Sequence, residues 1–232
     1  MSTITAKGYK GAGMEGWTAR WYAKTRRNDL EQFREAARKV AAKLRDGARV
    51  LEVAPGPGFF AVELAKLRKL EITGLDISRT MIEIANQQAQ KAGAAIAFRV
   101  GNASAMPFDE AQFDFVYCSA AFKNFAEPTK ALDEMHRVLR PGGEALIADL
   151  CKHAPIEEID RYVEHSGRGK LDRWLTKMAF RVLLLKRAYS QEDFERMARE
   201  SRFGSCAVSA EGIGFEVRFV KPALASPAAD RP

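Results

Sequence analysis

Three side chains that accept hydrogen bonds stand at or just beyond the ends of three short apolar runs. They are Glu52 in the run 50–53, Asp76 after 71–75 and Asn102 after 96–100. After the first run comes Ala54-Pro55-Gly56-Pro57-Gly58, a turn where a missing Cβ lets a ligand approach the backbone closely. In a parallel sheet the carboxyl ends of such runs lie side by side, at the crevice where ligands bind. A carboxylate after the second strand can accept both hydroxyl hydrogens of a ribose. The amide of Asn102, next to the small Ala103, can hydrogen-bond an adenine edge. The chemistry indicated is the holding of an adenosine-containing cofactor.

The elements that must position these residues follow from periodicity. Residues 49–53 read as a strand that runs through the glycine turn directly into a helical pattern over 59–67. Residues 71–75 read as a second strand, and Ser78 caps a helix that Gly93 stops near Ala92. The alternation of Ile96, Phe98 and Val100 gives a third strand and 113–118 a fourth. Residues 128–139 form a helix with Pro128 in its first turn, and Pro141-Gly142-Gly143 is a hard turn into a strand over 144–149. This β-α-β rhythm describes a parallel sheet covered on both faces. Upstream, 29–44 reads as a covering helix with Asn28 or Asp29 as its cap. The arm before it is rich in Gly, Lys and Arg, yet carries Trp17, Trp21 and Tyr22. Those aromatics either pin the arm to the body or, for Trp21 and Tyr22, roof a ligand pocket. Between 151 and 189 the alternation gives way to two helical patterns, read as an inserted lid. A capped helix over 190–200 and a terminal hairpin, 205–210 with 215–220, complete one domain over 1–221. The Ala/Pro/Ser-rich 222–232 is an expected disordered tail.

The 232 residues and 47% apolar composition fit one domain with a sizeable core. The excess of 37 Lys plus Arg over 30 Asp plus Glu, a net +7, could favour anionic partners. Its spread along the helices reads instead as a solvated basic surface. Cys118, Cys151 and Cys206 have neither disulfide-framework nor metal spacing, so the expectation is a cytoplasmic protein without metal. No signal peptide and no apolar run of bilayer length are read in the chain. The second lid helix, apolar over much of its circumference with Lys177, Arg181, Lys186 and Arg187, is either buried under the lid or in a dimer contact, or lies on an anionic membrane surface. Monomer and homodimer both stay open.

Gly56-Pro57-Gly58-Phe59-Phe60-Ala61 fits a dinucleotide fingerprint with Asp76 roughly 20 residues on. The acidic Glu52 inside the preceding strand and the C-terminal hairpin separate this chain from that reading. Val-Leu-Glu-Val-Ala-Pro-Gly-Pro-Gly, Gly-Leu-Asp-Ile-Ser, Gly-Asn-Ala-Ser-Ala-Met-Pro-Phe, Phe-Asp-Phe-Val and Arg-Val-Leu-Arg-Pro-Gly-Gly stand in that order over about 49–149. Together they resemble the motifs of class I S-adenosylmethionine-dependent methyltransferases, in the small-molecule branch that includes the ubiquinone and menaquinone biosynthesis C-methyltransferases. The resemblance implies an α/β fold: a three-layer Rossmann-like sandwich with a mostly parallel seven-stranded sheet, an antiparallel C-terminal strand and a helical lid insertion. It implies S-adenosyl-L-methionine as cofactor, with Glu52, Ala54, Gly56 and Gly58 around the methionine portion. Asp76 would hold the ribose, Ile77 would pack on the adenine, and Asn102 and Ala103 would read it. Ser119 and Ala120 would line the side nearest the methyl group. Ala54 and Pro55 depart from the usual glycine and variable residue, and Asn102 stands where Asp is commoner.

A methyl on a sulfonium is already activated, so positioning and exclusion of water are the main requirements. If the acceptor must lose a proton, His153, His165 and Tyr117 are the candidate bases. Phe122 and Asn124, beyond the fourth strand, are the expected acceptor wall with Trp21 and Tyr22. The expected acceptor is a small molecule. A nucleic-acid target is the runner-up, disfavoured because Cys-Ser-Ala-Ala-Phe replaces the Asn/Asp-Pro-Pro-Tyr of base-amino methylation. A nicotinamide-dependent oxidoreductase is the alternative of another class.

Overall fold

The computed structural model describes residues 8–10, 13–164 and 185–223. Its centre is a seven-stranded sheet. Strands β1 (Arg49–Val53), β2 (Glu71–Asp76), β3 (Ile96–Val100), β4 (Phe113–Ser119), β5 (Leu139–Leu150), β6 (Ala207–Glu211) and β7 (Gly214–Val220) are arranged as β3-β2-β1-β4-β5-β7-β6. The first five are mutually parallel, and β7 lies antiparallel to both β5 and β6. The order reverses at β1, whose neighbours are β2 and β4, and such a reversal opens a crevice above the carboxyl ends.

Successive residues of β1 serve opposite faces, as the pleat requires. Leu51 and Val53 join a core with α5 (Pro128–Val138) and α7 (Gln191–Glu200). Val50 joins a second core with α2 (Leu30–Ala41) and α3 (Phe59–Leu67). The result is the three-layer sandwich expected. α4 (Arg79–Ala92) begins where Ser78 Oγ accepts the N–H of Met81 at 3.0 Å and ends at Gly93, φ 64°. A reciprocal capping box, Ser190 with Asp193, starts α7.

Several boundaries differ from the sequence reading. The N-terminal arm contains a helix, α1 (Gly16–Arg26), which lays Ala19 and Ala23 on Met81 and Ile84 of α4. Its small buried face carries little hydrophobic periodicity, which is why the segment reads as polar. Asp29 stands at the N-cap of α2, but its side chain makes no capping hydrogen bond; its carboxylate accepts from Nη1 of Arg26 at 2.6 Å. Pro141-Gly142-Gly143 is no separate turn but lies inside β5. Pairing there jumps from Phe113–Leu139 to Phe115–Glu144, so the extra residues bulge out of the ladder. Of the two helical patterns read between 151 and 189, the first is α6 (Ile156–Glu164), which buries Ile159 and Val163 against Leu185 and Ile213. The pattern over 171–184 lies outside the described residues. No described helix is long and apolar enough to cross a membrane.

Candidate functional site

A cavity opens above the carboxyl ends of β1, β2 and β4 and beside the segment after β3. Its floor is lined by Glu52, Ala54, Gly56, Asp76, Ile77, Asn102, Ala103, Ser119 and Ala120. The geometry follows from the parallel ladder: Glu52 pairs with Gly74 on one side and Tyr117 on the other, so the tips of three strands end together.

The glycine turn is fastened to β2 from both ends. Gly56 gives its N–H to Asp76 Oδ2 at 3.0 Å, Ser78 gives its N–H to Oδ1 at 2.9 Å, and the N–H of Ala54 reaches the carbonyl of Leu75 at 2.7 Å. Gly56 has φ 53°, and a Cβ built there meets no protein atom within 4 Å. Gly58, at φ 78°, is different. A Cβ there would stand 2.9 Å from Ala85 Cβ and 3.0 Å from Phe98 Cζ. It is the residue before α3 and lets the helix pack on its neighbours, without itself lining the cavity. Ala54 and Ala120 hold left-handed backbone, φ 57° and 55°, without being glycine.

Both acids of the floor are buried, Glu52 at 4% and Asp76 at 8% exposure. Among the described residues Glu52 Oε2 has no hydrogen-bond partner. Burial first, and the neighbouring charge of Asp76 second, push the Glu52 carboxyl up to about 8. Burial likewise raises Asp76 to about 6 against the opposing pull of the Ser78 and Gly56 N–H groups. A buried carboxyl in this state is poised to receive a positive charge. The linkage has a definite sign: the folded protein binds more protons than the unfolded chain between about pH 4 and 8. Stability present below the lower value is therefore lost as pH rises through the upper one. The unliganded protein is expected to melt at a lower temperature at pH 8.5 than at pH 5.5, with a much flatter dependence in Glu52→Gln. Each 1 kcal/mol moves Tm by about 2–4 °C for a chain of this size. Differential scanning fluorimetry across that range tests it, and a wild-type Tm that rises with pH would contradict the assignment.

The roof comes from the chain before β1 and from the segment after β4. Residues 8–10 lie along 124–126: Lys10 N–H donates to the Asn124 carbonyl at 2.8 Å and Ala126 N–H to the Gly8 carbonyl at 3.2 Å. Tyr9, Met14, Tyr22, Arg26, Phe33, Asn124 and Phe125 line this half. Tyr22 and Asn124 thus stand where the sequence placed them. Trp21 does not: it is 55% exposed and absent from the lining, because adjacent residues of a helix point about 100° apart. Phe122 is a further correction, fully buried and stacked on Phe194 at 5.6 Å between ring centres. Tyr117 projects to the α3 side and stacks on Phe60 at 4.1 Å. It is not part of the cavity wall, and burial raises its phenol well above the ordinary value. His153 is exposed and outside the cavity, and His165 lies outside the described residues. Tyr9, Arg26 and Phe33 were missed. They converge only through folding of the arm, for which the sequence carries no spacing signal.

Below the Asn124 side sits a buried ion pair. Lys123 Nζ donates to Asp149 Oδ1 at 2.6 Å and to the Ala120 carbonyl at 2.7 Å, while Lys123 N–H donates to Asp149 Oδ2 at 2.9 Å. The pair pins the loop carrying Ala120 and Asn124 to the end of β5. Among the described residues there is no cluster of His, Cys, Asp and Glu able to hold a metal ion.

Comparison with known proteins agrees with this arrangement. Residues 51–147 match the family model described as a methyltransferase domain. A demethylmenaquinone methyltransferase of Deinococcus radiodurans is 42% identical over 102 residues, covering 44% of this chain and 42% of that protein. An O-methyltransferase, resE, of Aspergillus sclerotiorum is 33% identical over 160 residues, covering 63% and 60%. The chain thus spans about half the length of these curated relatives. Among solved structures, a SAM-dependent methyltransferase from Aquifex aeolicus superposes with TM-score 0.60 at 21% identity, covering 80% of this chain and 89% of that one. A Methanococcus maripaludis protein described as an S-adenosyl-L-methionine-dependent methyltransferase reaches 0.72 at 19%, covering 93% and 97%. At these identities the structures speak for the fold.

Proposed function

We propose that the chain, whose residues 51–147 match the methyltransferase-domain model, is a class I S-adenosylmethionine-dependent methyltransferase that transfers a methyl group to a small-molecule acceptor held under the roof of the cavity. The observation that carries this reading is Glu52 Oε2, buried without a partner in a cavity it shares with Asp76. A cationic ligand supplies what that atom lacks. Gly56 supports it, since the space its Cβ would fill is free of protein atoms. The residues present therefore fit S-adenosyl-L-methionine, which when bound supplies a methyl group activated on sulfonium sulfur.

Glu52, with Ala54 and Gly56, would hold the amino-acid end. Asp76 would accept from the ribose, with its geometry fixed by the two N–H bonds it already receives. Asn102, whose Oδ1 takes the Ser104 N–H at 2.9 Å, leaves its amide N–H₂ free to donate to an adenine edge, with Ile77 and Ala103 flanking the ring. Ser119 and Ala120 would stand beside the transfer path, Ala120 held through its carbonyl by Lys123, which is paired with Asp149. Together these residues would hold the acceptor's lone pair in line with the methyl group that the bound cofactor supplies. The strap 8–10 and α1 exclude water from that path. A cytoplasmic setting, a metal-free reaction and one domain over 1–221 with a helical lid over 151–189 belong to the same proposal.

Isothermal titration with S-adenosylhomocysteine and with NADH tests the cofactor. Binding of the first and none of the second is expected. NADH binding with no response to S-adenosylhomocysteine would replace this reading with the oxidoreductase one.

A further inference from the structure

We propose that the roof half of the cavity is built for a planar aromatic acceptor bearing an oxyanion, a carboxylate or an ionised phenol, and that Arg26 is the group that holds that charge. This rests on the methyl-transfer reading above and deepens it.

Four rings, Tyr9, Tyr22, Phe33 and Phe125, wall the roof, and Met14 and Met81 also line the cavity. Flat apolar walls of this kind select a flat apolar ligand. Arg26 stands among them as the last residue of α1. Two neighbours fix its head: Asp29 takes Nη1 at 2.6 Å, and the guanidinium carbon lies 4.9 Å from the centre of the Phe33 ring. A guanidinium has five N–H donors in a planar fork, and the Asp29 bond engages one edge. A fork that is held rigid, half-buried and within a cavity wall matches a carboxylate or phenolate better than a neutral ligand.

The remaining charges on this side agree. Glu15, at α1's leading end, is not part of the cavity wall and is engaged by the N–H groups of Arg79 and Thr80 and by the Thr80 hydroxyl at 2.7 Å. Arg187, bonded to the Lys10 carbonyl at 3.4 Å, acts on Tyr9 as a second positive neighbour. Among the described wall residues of the roof there is also no proton acceptor suited to neutral pH. The acids that line the cavity, Glu52 and Asp76, belong to the floor. An acceptor that arrives already ionised needs none.

The test uses the full chain saturated with S-adenosylhomocysteine. Dissociation constants are measured for benzoate, 1-naphthoate and indole-3-acetate, each against its methyl ester, for wild type, Arg26→Lys and Arg26→Met. The acids are expected to bind at least tenfold tighter than their esters in wild type. Arg26→Lys should keep part of that preference, and Arg26→Met should erase it while the dissociation constant of S-adenosylhomocysteine stays within twofold. Esters that bind as tightly as acids in wild type overturn the proposal without any variant. So does an acid preference that survives Arg26→Met. Loss of S-adenosylhomocysteine binding by wild type would instead overturn the function on which the proposal rests, so the two failures are told apart.

Discussion

Lys123→Met is expected to lower the unfolding free energy by about 3–5 kcal/mol, the cost of stranding one member of a buried ion pair. Lys123 is 6% and Asp149 7% exposed, so water cannot take over for the missing ammonium. The loss would be specific to the unpaired charge. Lys123→Met combined with Asp149→Asn should recover a large part of it, because the Asn oxygen can still accept a backbone N–H where Asp149 accepts those of Lys123 and Leu150. Urea unfolding followed by fluorescence measures all three forms. A single variant within 1 kcal/mol of wild type would mean that the pair is hydrated and does not fix the loop carrying Ala120.

The second large effect concerns ligand affinity. Asp76→Ala should weaken S-adenosylhomocysteine binding by about 1.5–3 kcal/mol, or roughly 10- to 150-fold, the range for hydrogen bonds to a charged group. The loss has two sources. The variant removes the acceptor proposed for the ribose, and it frees the N–H groups of Gly56 and Ser78, so the turn itself loosens. Titration calorimetry reads the change directly. An unaltered dissociation constant would take Asp76 out of the site.

What the sequence made legible is the floor of the cavity. Glu52, Asp76 and Asn102 follow strands whose apolar runs are short and clear, and a parallel sheet obliges such tips to converge. Gly56 and Gly58 were both legible as special, but their roles split only in three dimensions. One faces open space, and the other faces Ala85 and Phe98. The roof was legible only in fragments. α1 buries two alanines, too little apolar pattern to declare a helix, and without the helix Trp21 and Tyr22 look equivalent. Tyr117 and Phe122 illustrate a second limit. Near a strand end an aromatic can face the ligand or the core, and the choice depends on which helix, α3 for Tyr117 or α7 for Phe122, arrives to cover it.

The reversed direction of β7 settles where residues 221–223 lie. β7 begins at Gly214 opposite Leu150 and finishes at Val220 opposite Glu144, so residues 221–223 emerge at the end of the sheet remote from the cavity. A dye coupled to a cysteine placed at Ala223 would sit on the far pole, leaving the mouth of the cavity turned to the solution.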